Sequence, residues 1–343
     1  MNQAWQDFLA TQHAQFQDGA VLHFGDLQGE LAAAQQAATV CDLSHFGALQ
    51  ISGEDAQTFL QSLFSSDVKA VSPVQAQWSS FNTAKGRTLA TFLIWQTGAD
   101  YYLHLPRGLC AAMHKKLAMY VLRAKVRIAD ASDDLICLGV AGNRAPSLIE
   151  ECFGSMPQAD LAALHNGHGL GIRLSATRHM LIAAQEHALE LWKCLLNGAR
   201  PAGSSCWDWL SIRAGIPFIL PATQEQFVPQ MANLDLTGAV SFKKGCYPGQ
   251  EIVARMQYLG RLKQRMYLAH VARGPVPQPG DKLYSAEMEG QPSGTVANAA
   301  AAPGGGYDLL AVVQISSREA QSVHLGSLDG AKLEFLPLPY PLA

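Results

Sequence analysis

Lys243-Lys244-Gly245-Cys246-Tyr247-Pro248-Gly249-Gln250-Glu251, running on into Ile252-Val253-Ala254-Arg255, sets one cysteine between a lysine pair and a glycine turn. The residues after Gly249 read as the start of a helix. Neighbouring ammonium groups and free backbone N–H groups at a helix start favour a thiolate over a thiol, whose free pKa is about 8.5. Gly245 and Gly249 permit tight backbone conformations and close approach by a second group. The plainer alternative is a turn before a helix whose small cysteine is simply packed. For an isolated Lys-Gly-Cys tripeptide that reading would be preferred.

Around this stretch lies a chain of 343 residues, 48% hydrophobic and 15% charged. That is longer than the roughly 250–300 residues over which one core keeps growing, so two or three lobes are expected. A net charge of −3 argues against general affinity for nucleic acid or acidic membrane. The seven cysteines (Cys41, Cys110, Cys137, Cys152, Cys194, Cys206 and Cys246) are odd in number and form no CxxC pair. Zinc ribbons, iron–sulfur ligand sets and a disulfide scaffold are therefore not expected. Free thiols fit a reducing compartment, and Met1 to Asp7 lacks the basic and apolar regions of a signal peptide. No apolar run approaches the roughly 18 residues that span a bilayer. The expectation is a cytoplasmic protein without membrane contact.

Residues 2–17 and 26–38 read as helices. A strand over 48–52, a turn with an N-capping acid at Gly53-Glu54-Asp55 and a helix over 56–63 follow. Strands are predicted over 78–82, 88–96 and 101–105, then a helix over 108–120 and a strand over 126–128. A second unit begins near Asp134, with strands at 135–140, 171–174 and 179–183 and helices at 145–153 and 188–196. After Arg261 short strands at 266–271, 282–284, 294–296, 309–313 and 332–336 alternate with Gly/Pro turns, which reads as a small β-barrel. The fold class is α+β, with lobes over 1–133, 134–260 and 261–343.

The nine-residue run resembles the K-G-C-[YF]-x-G-Q-E signature of the YgfZ family, folate-binding proteins related to the glycine-cleavage T-protein, an aminomethyltransferase. Asp42-Leu43-Ser44-His45-Phe46-Gly47, Ile51-Ser52-Gly53-Glu54-Asp55-Ala56, Phe59-Leu60-Gln61 and Asp67-Val68 are similar to the N-terminal signature of that superfamily. Ala84-Lys85-Gly86-Arg87, Leu122-Arg123-Ala124-Lys125-Val126, Ala214-Gly215-Ile216-Pro217 and Phe227-Val228-Pro229-Gln230 continue the likeness. It runs from about residue 40 to 265 and resumes weakly beyond. The resemblance implies a three-lobed, T-protein-like fold with two antiparallel-sheet lobes and a C-terminal barrel. It also implies a pocket between the lobes for tetrahydrofolate or a one-carbon derivative.

A pterin is a flat, hydrogen-bonding ring, suited to aromatic walls and a few polar groups. Counting back from Ser52-Gly53 and Ala214-Gly215 puts Phe46 and Trp207 where the family carries such aromatics. In isolation either residue reads as core. The resemblance further assigns Tyr247, Gln250, Glu251 and Arg255 to the folate. It makes Cys246 the working thiol and Lys244 its electrostatic partner, with no metal ligand assigned.

One departure bears on chemistry. An aminomethyltransferase of this kind needs an aspartate beside the folate amine, in a stretch like G-G-x-x-D-D. Here Gly86-Arg87-Thr88-Leu89-Ala90-Thr91 puts Ala90 and Thr91 at the carboxylate positions, and Arg213 replaces an acid found in many relatives. No group would then orient and deprotonate the folate nitrogen.

His165-Asn166-Gly167-His168 holds two histidines with no Cys or acid nearby in sequence, and reads as a surface loop. Gly167-His168-Gly169-Leu170-Gly171 precedes a strand, so it is no dinucleotide loop. Gly304-Gly305-Gly306 reads as a hairpin turn. Lys115-Lys116, Arg123, Lys125 and Arg127 read as a solvated basic face, with a folate polyglutamate tail or an RNA partner as the sharper alternative. The function implied is a folate-dependent accessory protein for assembly, repair or maintenance of iron–sulfur enzymes, tRNA-modifying ones included, which would be its clients. The alternatives are a one-carbon transferase with an unknown acceptor and a folate-sensing module in which Cys246 is structural.

Overall fold

The computed structural model describes residues 1–342 and is mixed α+β, as expected. The chain forms two compact units, each assembled from separated segments. Met1–Phe59, Lys69–Gln77 and Leu93–Trp207 form unit one; Leu60–Val68, Trp78–Phe92 and Asp208–Ala343 form unit two.

Unit one contains a six-stranded sheet ordered Ala163–Asn166, Gly169–Ser175, Arg178–Ala183, Ile136–Gly142, Ala38–Asp42, Arg200–Ala202. All its pairings are antiparallel except the last, where Arg200 lies opposite Thr39 in parallel. The helices Ala145–Phe153 and Gln185–Leu195 bury Leu148, Ile149, Phe153, Leu191, Trp192 and Leu195 in a core that also holds Trp5, Val40, Leu138 and Leu181. This stripe of large apolar side chains at helical spacing is what docks both helices. Antiparallel pairing of Asp100–Pro106 with Phe46–Ser52, and of the latter with Arg127–Asp130, builds a second sheet.

One expectation is corrected in this unit. Cys152 and Cys194 form a disulfide with Cα atoms 5.7 Å apart, joining the two core-facing helices across 42 residues of sequence. Residue spacing had suggested seven free thiols; five remain among the described residues. No spacing rule finds such a bridge, because its geometry is set by how two helices pack.

In unit two the C-terminal strands form one antiparallel sheet, ordered His324–Leu325, Lys282–Tyr284, Pro292–Ala301, Tyr307–Gln314, Gln264–Val271, Glu334–Leu336. It is curled: a bridge between His324 and Lys332 joins one edge strand to the residues leading into the other. A core cluster on this sheet buries Val271, Leu283, Val296, Leu309, Ala311 and Val313. Gly304-Gly305-Gly306 makes the hairpin turn as expected, with Ala302 N–H donating to the Gly306 carbonyl at 3.0 Å. Among the described residues no helix is long and apolar enough to cross a membrane.

Candidate functional site

The cysteine stretch lies in unit two as an irregular loop that feeds the helix Gln250–Tyr258. Gly249 caps that helix with φ +79°, a left-handed conformation that favours glycine. A side chain there would also have no room. Its Cβ would come within 2.4 Å of the Thr83 carbonyl oxygen and 2.7 Å of Gly86 Cα. Gly86 mirrors it, with φ +69° and a hypothetical Cβ 2.9 Å from Ile252 Cβ. The 83–87 turn and the cysteine loop thus meet backbone to backbone, and glycine on both sides is what permits the contact.

Within the loop, burial sorts the side chains. Lys243, Gly245 and Cys246 are exposed, whereas Lys244 is only 8% exposed and Tyr247 6%. The Lys244 ammonium donates to the carbonyl oxygens of Gln61 (2.6 Å) and Phe64. These carbonyls close the C-terminal end of the helix Ala56–Leu63, where unpaired carbonyls and the helix dipole both attract a cation. The ammonium also lies 5.1 Å from the centre of the Tyr247 ring, a cation–π contact. Burial lowers this lysine to about 8, with Asp67 acting in the opposite sense, and burial pushes the Tyr247 phenol up to about 12. These contacts of Lys244 hold the loop to the rest of unit two. Gln250 Nε2 donates to the Lys244 carbonyl at 3.4 Å, bracing the loop from the helix side, while Glu251 and Arg255 face solvent.

Behind the loop lies a buried hydroxyl cluster. Ser65 Oγ donates to the Ala239 carbonyl (2.7 Å) and sits 2.7 Å from Ser80 Oγ, and Ser66 Oγ donates to Ser79 Oγ at 2.7 Å. Ser241 N–H donates to the Ser65 carbonyl at 2.8 Å, tying the entry to the cysteine loop to the same cluster. Asn82, 1% exposed, ends this row; its Oδ1 accepts from Ser80 Oγ at 3.4 Å, yet its Nδ2 has no partner. A buried amide donor left unpaired costs about 1–3 kcal/mol, so it is a group to be accounted for. Sequence reading passed over Asn82, since an asparagine before a Lys-Gly turn is ordinary turn chemistry.

Ala90 is fully buried. Thr91 Oγ1 donates to the Pro217 carbonyl (3.0 Å) and accepts from Ile219 N–H (3.0 Å), so its hydroxyl serves packing. Arg213 lies 3.6 Å from buried Asp308, which also accepts from Trp209 Nε1 and lies 2.8 Å from His270 Nδ1. Gln230 Nε2 donates to the Val253 carbonyl at 2.7 Å, joining two of the motif stretches. Beside it lies a cavity of about 370 Å³, lined by Gln230, Met256, Tyr267 and the Arg265–Asp235 ion pair at 3.1 Å.

Phe46 and Trp207 belong to unit one. Phe46, 5% exposed, stacks on His104 at 4.6 Å between ring centres, and burial drops that imidazole to about 3. Trp207, 2% exposed, is pressed against Gly139, where a Cβ would lie 2.5 Å from the indole. The Arg178 guanidinium sits 4.8 Å above its ring. The structure thus brings Cys246, Lys244, Tyr247, Gln250, Glu251 and Arg255 together on one loop and helix, with Phe46 and Trp207 in the other unit.

Residues 12–244 match the family model described as the GCVT N-terminal domain. Among curated proteins the chain is 30% identical to the tRNA-modifying protein YgfZ of Klebsiella pneumoniae (strain 342), over 89% of this chain and 93% of that one. Among solved structures it resembles the glycine cleavage system aminomethyltransferase T from Bartonella henselae, with a TM-score of 0.80 at 17% identity, covering 98% of this chain and 96% of that chain. At that identity the likeness shows the fold, which is T-protein-like. The family model spans well over half of the chain and the curated relative is similar over nearly all of it, so this chain belongs to the GCVT family and, within it, to the YgfZ family.

Proposed function

We propose that the protein is a tetrahydrofolate-binding accessory factor that keeps iron–sulfur enzymes active, tRNA-modifying ones included, through the thiol of Cys246. One observation carries this reading: of the five cysteines outside the disulfide among the described residues, Cys246 is the exposed one, and it stands in the family's motif. The name of the Klebsiella relative, a tRNA-modifying protein, supports the choice of clients. A cytoplasmic location belongs to the same reading.

The residues present suit a folate in part. The unpaired Asn82 Nδ2 is a donor seeking an acceptor, and it neighbours the Thr83 carbonyl that touches the cysteine loop. Arg255 and Gln250 would serve the carboxylates and amide of the glutamate tail, since arginine pairs with carboxylates in a fork. Phe46 and Trp207, which the family resemblance also assigns to the folate, already have protein groups against their rings. When bound, a reduced folate supplies a one-carbon carrier.

The same residues argue against aminomethyl transfer. Ala90 offers no polar group and Thr91 uses its hydroxyl on Pro217 and Ile219, so neither position supplies a carboxylate to take a proton. Lys244 we place as a positioning residue that fixes the loop beneath Cys246.

The decisive experiment is complementation of cells lacking this protein, read as tRNA thiolation by an iron–sulfur enzyme. Wild type should restore it and Cys246→Ser should not, at equal protein level. Full rescue by Cys246→Ser would sink the thiol reading. Separately, tetrahydrofolate should raise the melting temperature of the purified protein by mass action. If no folate species shifts it at millimolar concentration, the cofactor is wrong.

A further inference from the structure

His168 had no acidic neighbour in sequence, but the fold supplies one. It stands in the turn between the strands Ala163–Asn166 and Gly169–Ser175, close to His187 and Glu190 on the helix Gln185–Leu195. One ligand atom from each of the three lies within 4.8 Å of the others, and His187 Nδ1 is 3.9 Å from Glu190 Oε2. We propose that His168, His187 and Glu190 bind a divalent transition-metal ion of the zinc class, a site separate from the cysteine loop and independent of the function proposed above.

The donor set and its spacing support this. Two imidazoles and a carboxylate suit zinc and its neighbours. With metal–ligand bonds of about 2.0–2.2 Å, tetrahedral ligands stand roughly 3.4 Å apart. Closing from the observed spacing takes about 1 Å of side-chain movement. His168 and Glu190 are exposed and His187 partly so, which leaves their torsions free to make it.

Surface histidines beside a glutamate are common, and the bland reading is a chance group of solvated side chains. Two features set this one apart. The first is that both nitrogens of His187 face carboxylates: Nδ1 faces Glu190, and Nε2 lies 3.9 Å from Glu186 Oε1. Neither 3.9 Å contact is yet a hydrogen bond, but on closing one carboxylate would ligate while the other accepts from the ring N–H and fixes the tautomer. Among the described residues no lysine or arginine ion pair neutralises Glu186 or Glu190.

The second feature is that the backbone carrying the three ligands is fixed. Asn166 Oδ1 accepts from His168 N–H at 2.8 Å, and Asn166 Nδ2 donates to the Phe153 carbonyl at 2.6 Å. The residue beside Phe153 is Cys152, whose disulfide to Cys194 joins that helix to the one carrying His187 and Glu190. The turn is therefore tied to one helix and that helix to the other. An ion bound here would close the loop by clamping the turn onto the second helix. Three protein ligands leave a fourth position for water or an external donor.

Zinc titration calorimetry on the full chain tests this, with Cys246→Ser as parent so that the exposed thiol does not compete, and without reductant so that the disulfide stays. The parent should bind a single zinc ion at micromolar concentration, and zinc should raise its melting temperature. His187→Ala and His168→Ala should each weaken binding at least tenfold and lose the melting shift, and Glu186→Gln should weaken it about tenfold through the ring it orients. All three sites are on the surface, so metal-free melting curves should coincide with the parent's. Zinc binding that survives both histidine substitutions unchanged would overturn the proposal, as would a parent that shows no binding up to millimolar zinc.

Discussion

Cys246 and Cys41 have the same side chain in opposite settings. Cys41 lies in the strand Ala38–Asp42, second from one edge of a six-stranded sheet, with no exposed surface. Burial pushes its thiol up to about 12, and the nearby Glu30 and Asp42 carboxylates push the same way. Cys110, buried on the helix Arg107–Val121, is driven to about 11 by burial, with Asp130 adding to the shift. Cys246 instead stands in solvent on a loop shaped by glycines, with Lys243 beside it. In sequence Cys246 read as the working thiol, with a simply packed cysteine as the plainer alternative, whereas Cys41 was one of seven with no role assigned. Enclosure and the sign of the neighbouring charge decide which one can react.

The largest expected effect follows from that contrast. A thiol raised from 9.0 to about 12 holds roughly a thousandfold less thiolate near neutral pH. Mass-spectrometric mapping of iodoacetamide labelling on the native protein should find Cys246 modified at least that much faster than Cys41. Comparable rates would erase the distinction between the two regions.

Trp207→Ala probes the buried side of the comparison. It should cost about 3–5 kcal/mol in denaturant unfolding, because a large ring leaves the space between Gly139 and Arg178. Labelling of Cys41 should rise with it. An unchanged midpoint would mean that the indole does not serve packing, and a direct ligand contact would become the better account.

Lys244→Ala probes the exposed side, at about 1–3 kcal/mol, the usual effect of leaving buried carbonyls unpaired. Its pH dependence has a definite sign. The folded lysine, at about 8 against 10.5, binds fewer protons than the unfolded one between those values. Its contribution to stability is thus fully present above pH 10.5 and is lost as pH falls through about 8. Wild type should gain on Lys244→Met between pH 8 and 10 in paired unfolding curves. Cys246 labelling should change little in Lys244→Ala, because the ammonium is committed to carbonyls; a large fall in rate would restore the lysine as the thiol's direct partner.

The smallest effect on stability belongs to Cys246→Ser, within about 0.5 kcal/mol for an exposed loop residue. A larger shift in melting would recast this thiol as structural and bring it closer to Cys41.

Much of the local structure was legible. The helices Ala56–Leu63 and Ala145–Phe153 and the strand Lys282–Tyr284 fall where the pattern put them, because turn residues and apolar spacing bound them within a few positions. The helix Ser204–Arg213 was missed for a physical reason. Buried residues lie all round it, including Ser204, Cys206, Trp207, Trp209, Ser211 and Ile212, so it has no polar face to reveal a period. The strands Ala38–Asp42 and Arg200–Ala202 were missed as well. They are short, and the second has only a partner 161 residues away to define it.

The sequence by itself determined the α+β class, the family and the loop that carries Cys246, since each is written in residues adjacent along the chain. Only the tertiary structure decided that Lys244 turns inward to Gln61 and Phe64, that Asn82 keeps an unpaired donor, and that Cys152 meets Cys194. It also decided that His168 faces Glu190. Those outcomes depend on burial and on contacts between residues far apart in sequence, where desolvation and packing choose a partner that local spacing does not encode.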